Sequence, residues 1–293
     1  MTFLSSDSHE PADLAVSIVS WNVKDLLVKN LQALQKSQGE GTVRVIVVDN
    51  ASTDGTEKLD ANQFPNIHFI KNTQNLGFSK ANNQAIAIAN ARHILLLNPD
   101  MRVEPTTLSQ IINELDANNQ IGVLGGHLLR QLADGGTTTL ESVRRFPTLA
   151  SQLAILLKLP HLFPKLVDYY LAKDFDYTKP QSVDSVRGSL FAISEAALKR
   201  QGGLDERYFI WFEEVDYCKS MHKLGLEVRY DPAIQAQDFV GQSFAQRKRY
   251  WKQVQFSRSM AQYFQKWHPI WQSALIWTLR PFPIAAAWLA DKI

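Results

Sequence analysis

The segment from Val43 to Thr56 constrains this chain more than any other. Val43-Arg44-Val45-Ile46-Val47-Val48 is a nearly continuous, β-branched apolar run that stops at Asp49, and Asn50-Ala51-Ser52-Thr53-Asp54-Gly55-Thr56 follows as small, polar, cap-forming residues. A strand buried on both faces reads this way because neither face meets water. Ligands of open α/β sheets bind just beyond the carboxyl ends of the strands, so Asp49 is expected where a buried edge meets a crevice. The competing reading has Asp49, Asn50 and Ser52 only capping a helix that starts near Thr53.

The pattern returns twice. Ile94-Leu95-Leu96-Leu97 runs into Asn98-Pro99-Asp100, and Val16-Ser17-Ile18-Val19-Ser20 runs into Trp21-Asn22. Helix-period segments lie between them and beyond, at Leu26–Leu34, Ser79–Ala91 and Leu108–Leu115. Strands alternating with helices predict a mainly parallel sheet covered on both faces, and polar strand ends predict one shared crevice. A length of 293 residues fits one large α/β domain with additions, or two modest domains.

Several classes lack support. Cys218 is the only cysteine, so no intrachain disulfide can form and a reducing compartment fits. Met1 to Asp13 is polar and acidic, without the basic flank and apolar centre of a signal peptide, and residues 1–14 read as a flexible leader. The histidines show no zinc spacing, and neither a dinucleotide-binding nor a Walker glycine motif is present. Gly125-Gly126 and Gly135-Gly136 read as turns.

Charge is unevenly placed. Between Asp238 and Asp291 there is no acid, whereas Arg247, Lys248, Arg249, Lys252, Arg258, Lys266 and Arg280 alternate with Trp251, Trp267, Trp271, Trp277 and Trp288. Basic residues interleaved with tryptophan suit helices lying in a headgroup layer. Arg280, Pro281 and Pro283 interrupt the one stretch long enough to span a bilayer, so residues 243–293 are expected to lie on an anionic membrane surface. Packing on the rest of the protein is the alternative. No nucleic-acid motif accompanies the basic residues, and no nucleic-acid partner is expected.

The densest acidic group is Glu213, Glu214 and Asp216, which follows the aromatic run Tyr208-Phe209-Ile210-Trp211-Phe212. Crowded carboxylates beside an apolar wall raise one another's pKa, which tunes them to accept a proton from a hydroxyl. Acids favouring the N-terminal dipole of a helix running to Leu224 would explain one or two of them.

At this point the chain resembles the family 2 glycosyltransferases of GT-A fold, especially their bacterial rhamnosyltransferase-like branch, from about Ala15 to Ser243. Val48-Asp49-Asn50-Ala51-Ser52-Thr53-Asp54-Gly55-Thr56 is similar to the second-strand motif, and Asn75-Leu76-Gly77-Phe78 to the N-x-G-F segment. Leu96-Leu97-Asn98-Pro99-Asp100 stands where the family has its D-x-D or N-P-D. Phe146-Pro147 after Arg144-Arg145, Gly188-Ser189, and Gly203-Leu204-Asp205-Glu206 also align in order.

The resemblance implies an α/β GT-A domain over residues 15–242, with a nucleotide half at about 15–100, an acceptor half at about 101–242, and C-terminal helices after it. It implies an inverting transfer from a nucleotide sugar, with dTDP-L-rhamnose favoured as donor and UDP-linked hexoses as an alternative. The implied acceptor is a polysaccharide or polyprenyl-diphosphate-linked saccharide at the inner face of the cell membrane, with Leu149–Pro160 meeting the lipid or covering the cleft. Asp49 would contact the pyrimidine, and Asn22, Asn75, Gly77 and Asn82 would line the nucleoside pocket. Asp100 would hold Mg²⁺ or Mn²⁺ against the diphosphate, with Arg187 supplying further positive charge. Glu214 takes the position of the family's base, beside Glu213 and Asp216. Two departures stand out. The pair is Glu-Glu rather than Glu-Asp, and Asp238 falls where many relatives carry a metal-binding His after a strand at Glu227–Tyr230. A sugar-nucleotide-binding or assembly protein without catalysis is the reading these departures leave open.

Overall fold

A computed structural model describes residues 1–5, 8–59, 63–132, 136–239 and 246–292. The expected Val43 run forms β3 (Thr42–Asp49), paired in parallel with β2 (Ala12–Ser20), which pairs in turn with β5 (Ala91–Leu97). On the other side of β3 lie β4 (Ile67–Lys71) and β1 (Thr2–Phe3), both parallel to it. This half is parallel throughout. Beyond β5 the sheet becomes mixed. β12 (Leu190–Ile193) is antiparallel to both β5 and β7 (Ile121–Gln131), and β13 (Glu227–Asp238) runs parallel to β7. The short β6 (Met101–Val103) is antiparallel to β13.

Alternate residues of the strands feed two cores. Leu14, Val16 and Ile18 of β2 and Val43, Val45 and Val47 of β3 face α1 (Lys24–Leu34) and α3 (Thr107–Ala117) through Leu27, Leu31, Leu108 and Ile111. Ala15, Ile46 and Val48 face the other way, toward Ala81 and Ala85 of α2 (Phe78–Ile88) and toward Tyr217 and Met221 of α6 (Glu213–Lys223). The sheet is therefore dry on both sides, which is why its strands lack a polar alternation.

A third core holds the C-terminus in place. α7 (Arg249–Trp267) buries Met260, Ala261, Tyr263 and Phe264 against Tyr208, Phe212 and Val215. Leu149, Leu153 and Leu156 of α4 (Leu149–Leu156) join the same cluster, so this helix covers protein core and the exposed apolar surface begins only at Leu157. α8 (Ile270–Leu279) and α9 (Pro281–Ala290) complete the chain.

Several expectations need correcting. The leader over 1–14 is not free: Thr2 and Phe3 extend the sheet beside Thr42 and Val43, and β2 already begins at Ala12. No helix starts at Thr53; a short 3-10 turn spans Thr56–Lys58, and Asp54 accepts hydrogen bonds from the Thr56 and Lys24 amides. Gly125 and Gly126 lie inside β7, where a Cβ would collide with Val186 and with the Ile234 carbonyl. They are glycine because neighbouring chains approach closely, not because the backbone turns. The strand expected at Glu227–Tyr230 continues to Asp238, bulging between Asp231 and Gln235 around Pro232, which could not donate to a regular ladder. Gly135 and the boundary near 242 lie outside the described residues.

Candidate active site

Polar strand ends and three approaching loops enclose a cleft at the carboxyl edge of the sheet. Its lining includes Asn50, Asn75 and Gly77 from the parallel half, Asp100 and Asp238 near the β6–β13 pairing, and Arg187, Glu213 and Glu214 from a third, acidic wall.

Asn50 organises the first wall. Its Nδ2 donates to the Asn75 Oδ1 and to the Gly77 carbonyl, both at 3.1 Å, while its Oδ1 accepts from the Leu76 amide at 2.9 Å. The end of β3 is thereby tied to the loop that begins α2. Gly77 has φ +84°, and a Cβ there would lie 2.4 Å from the Phe209 carbonyl oxygen and within 3 Å of its ring. Conformation and space both demand glycine. The close approach lets the Phe78 amide donate to Phe209 O at 2.7 Å, joining the two walls.

Asp100 and Asp238 come from positions far apart in sequence. Asp238 is the last residue of β13, in register with Met101, and the Phe239 amide donates to the Asp100 carbonyl at 3.0 Å. Both side chains are buried in the cleft. Asn30 fixes the turn that carries Asp100, its Nδ2 donating to the carbonyls of Asn98 at 3.1 Å and Met101 at 2.7 Å. Two carboxylates offer the hard oxygen donors that Mg²⁺ and Mn²⁺ take. No group of three or more His, Cys, Asp or Glu suited to a metal occurs among the described residues, so water and a ligand's own oxygens would complete any coordination shell.

The acidic wall depends on strain in the backbone. Trp211 and Phe212 adopt φ +64° and +72°, a left-handed conformation that bulky residues rarely accept. This kink starts α6 with Glu213 and Glu214 turned into the cleft. Burial pushes the Glu213 carboxyl well above the ordinary range, and the Glu214 charge raises it further. Burial raises Glu214 too, but backbone amides and then Arg187 and Arg144 hold it partly down. Desolvation thus outweighs the helix N-terminus, which favours anions. Of the two, Glu214 is the less buried side chain and the one facing arginine.

Four expected site residues stand outside the lining. Asp49 is buried and accepts from the Ser52 amide at 3.0 Å. Asn22, at φ +53°, accepts from the Thr53 amide at 2.7 Å. Asn82 accepts from Ser17 Oγ at 2.7 Å and donates to the Phe78 carbonyl, fastening α2 to β2. Asp216 is a correction: it points away from the cleft into the third core. There it accepts from Lys266 Nζ at 2.7 Å, Trp267 Nε1 at 2.6 Å and Tyr208 OH at 3.1 Å. Conversely, Trp21, Phe209, Trp211, Arg247 and Trp251 line the cleft without having been singled out for it.

A parallel half-sheet carrying carboxylates at its strand ends, joined to a mixed half that supplies a second acidic wall, is the GT-A architecture. It is shared with a mannosyltransferase from Pyrobaculum calidifontis solved with GDP-Man and Mn²⁺ (TM-score 0.57, 18% identity, covering 99% of this chain and 77% of that one). Staphylococcus aureus TarS residues 1–349, solved with UDP, have it too (TM-score 0.55, 16% identity, 90% and 69% covered). Residues 15–181 match Glycosyl transferase family 2, and the chain belongs to that family. It is 27% identical over 209 residues to the N-acetylglucosaminyl-diphospho-decaprenol L-rhamnosyltransferase of Mycobacterium tuberculosis, covering 67% of this chain and 66% of that protein. It is also 27% identical over 210 residues to the low-salt glycan biosynthesis hexosyltransferase Agl10 of Haloferax volcanii, covering 70% and 60%. Each match thus spans less than two thirds of the relative's length.

Proposed function

We propose that this protein is an inverting glycosyltransferase of cell-surface glycan synthesis, moving L-rhamnose from dTDP-rhamnose to a hydroxyl of a lipid-linked or polysaccharide acceptor. The observation that carries the reading is one cleft that holds Glu214, a carboxylate whose pKa burial raises, together with Asp100 and Asp238. A base for an acceptor hydroxyl and a carboxylate pair for a diphosphate's cation belong on opposite sides of the reacting carbon when displacement is in line. The name of the mycobacterial relative supports rhamnose and a diphosphate-linked acceptor.

In this reading the loop held by Asn50, with Asn75 and Gly77, receives the nucleoside. Asp49 and Asn22 brace the turn after β3 at the pyrimidine end of that pocket, and Asn82 fastens α2 behind it. Asp100 and Asp238 would hold Mg²⁺ or Mn²⁺, which supplies charge neutralisation for the departing diphosphate. Arg187, in the lining beside the acidic wall, counteracts the rise of the Glu214 pKa and would add positive charge. Glu214 takes the acceptor proton as the hydroxyl attacks, and Glu213, whose carboxyl burial pushes further up, stands beside it.

Thermal unfolding with dTDP, UDP, GDP and ADP, each with and without Mg²⁺ or Mn²⁺, tests donor choice. A ligand at 100 times its dissociation constant stabilises a fold by about 2.7 kcal/mol. The largest shift is expected with dTDP plus metal. A larger shift with UDP would move the donor to a hexose, and no shift with any nucleotide would contradict the reading.

We place the protein on the inner, anionic face of the cell membrane through α8 and α9. No helix among the described residues is long and apolar enough to cross a membrane. Ile270, Trp271, Phe282 and Leu289 nevertheless stand 67%, 57%, 68% and 56% exposed, far more than such residues need to be on a surface that meets only water. Not every basic residue of this region faces outward: Arg280 donates to Val254 O and Ser257 Oγ, and Lys266 pairs with Asp205 and Asp216. Sedimentation with phosphatidylglycerol vesicles is expected to capture the protein, and Trp271→Ser with Phe282→Ser to release most of it. Equal capture of parent and variant would remove these helices from the interface.

A further inference from the structure

A strap leading into α7 brings Arg247 and Trp251 into the lining of the cleft. Gln246 Nε2 donates to the Asn22 carbonyl at 2.7 Å, fastening this strap beside the end of β2. The next residue, Arg247, places its guanidinium carbon 3.8 Å from the ring centre of Trp21 and 4.8 Å from that of Trp251. Trp251 in turn leans on Phe209 at 5.9 Å and on Trp211 at 6.4 Å. Residues from the end of β2, the kink before α6 and the start of α7 therefore build one aromatic wall around one cation.

That cation is unusual in its surroundings. The cleft is lined by four carboxylates, Asp100, Asp238, Glu213 and Glu214, and by only two basic side chains, Arg187 and Arg247. Arg187 acts on Glu214. Burial lowers the pKa of Arg247. A guanidinium resting by its face on indole rings is held in orientation while its N–H donors project from its edge. Those donors match two oxygens of a phosphate, and stacking has already taken up the side chain's freedom.

We propose that Arg247 is an anion-binding residue of this cleft, held by Trp21 and Trp251 to receive the diphosphate of a ligand in a forked contact. Assigning the source of that diphosphate rests on the transfer reading, in which both the sugar nucleotide and a polyprenyl-linked acceptor carry one. The sequence hid this role because Arg247 belongs to a run of basic residues that reads as a membrane face.

Titration calorimetry with inorganic pyrophosphate, dTDP and thymidine, on the full chain and on Arg247→Gln and Arg247→Lys, tests the proposal. Pyrophosphate affinity is expected to fall about 10- to 100-fold in Arg247→Gln, the size of a lost charge-assisted contact, and less in Arg247→Lys. An equal fall for dTDP with thymidine unchanged assigns the donor diphosphate. Unchanged dTDP, with KM raised for a diphosphate-linked acceptor but not for an alkyl glycoside of the same sugar, assigns the acceptor. Pyrophosphate binding that is absent in the parent, or equal in parent and folded variants, would overturn the proposal. A parent that binds pyrophosphate through Arg247 yet transfers no sugar would remove the transfer reading and leave the anion site standing.

Discussion

Glu214→Gln is expected to leave the fold and nucleotide binding intact and to lower the transfer rate by about 10²- to 10⁴-fold, the usual contribution of a positioned base. The amide preserves shape and removes only the ability to take a proton. The pH profile should carry the same signature. A base works when deprotonated, and burial raises the Glu214 pKa. Activity of the parent should therefore rise with pH along an acidic limb that lies above the ordinary carboxylate value of about 4.3. Measuring kcat and kcat/KM against pH for both proteins checks this. A variant with unaltered turnover would remove Glu214 from the chemistry, and a limb at the ordinary carboxylate value would assign the titration to an exposed acid.

Asp216→Ala is expected to act on stability instead. The carboxylate is 1% exposed and receives three hydrogen bonds, from Lys266, Trp267 and Tyr208, so it clasps α7 to the start of α6. Removing it leaves the Trp267 indole N–H and the Tyr208 phenol without their acceptor in an apolar cluster, and Lys266 paired with Asp205 alone. Each buried donor left unsatisfied costs about 1–3 kcal/mol, because it keeps its desolvation penalty. The thermal midpoint should fall by roughly 10 °C, while the nucleotide affinity of the folded fraction stays near the parent's. The check is calorimetric unfolding followed by nucleotide titration below the transition. A variant as stable as the parent but inactive would return Asp216 to the catalytic wall.

Those two carboxylates show how far the sequence could be read. Glu213, Glu214 and Asp216 stand as one acidic cluster in the chain, but each helical residue turns by about 100°. Two positions past Glu214, Asp216 faces α7 and not the cleft. Spacing alone could have raised that doubt; the Lys266 and Trp267 partners that decide it come from fifty residues away. The strands were legible because burial on both faces leaves an unbroken apolar run, as in Val45–Val48 and Leu95–Leu97. Glycine was legible only in part. Gly77 stands in a motif, whereas Gly125 and Gly126 imitate a turn and serve close strand packing. The aromatic wall of Trp21, Phe209, Trp211 and Trp251 had no linear signal, since its members are gathered by the tertiary fold from the end of β2, the segment before α6 and the start of α7. Asn50 was visible only as a possible cap, and its work is to tie the end of β3 to the Asn75–Gly77 loop.

The most direct test of the central claim is the anomeric configuration of the product formed from dTDP-L-rhamnose and a polyprenyl-diphosphate-linked N-acetylglucosamine, read by proton NMR. The account predicts a single rhamnoside of configuration opposite to the donor, formed by the parent and lost in Glu214→Gln. A product that retains the donor's configuration would contradict a single displacement assisted by Glu214.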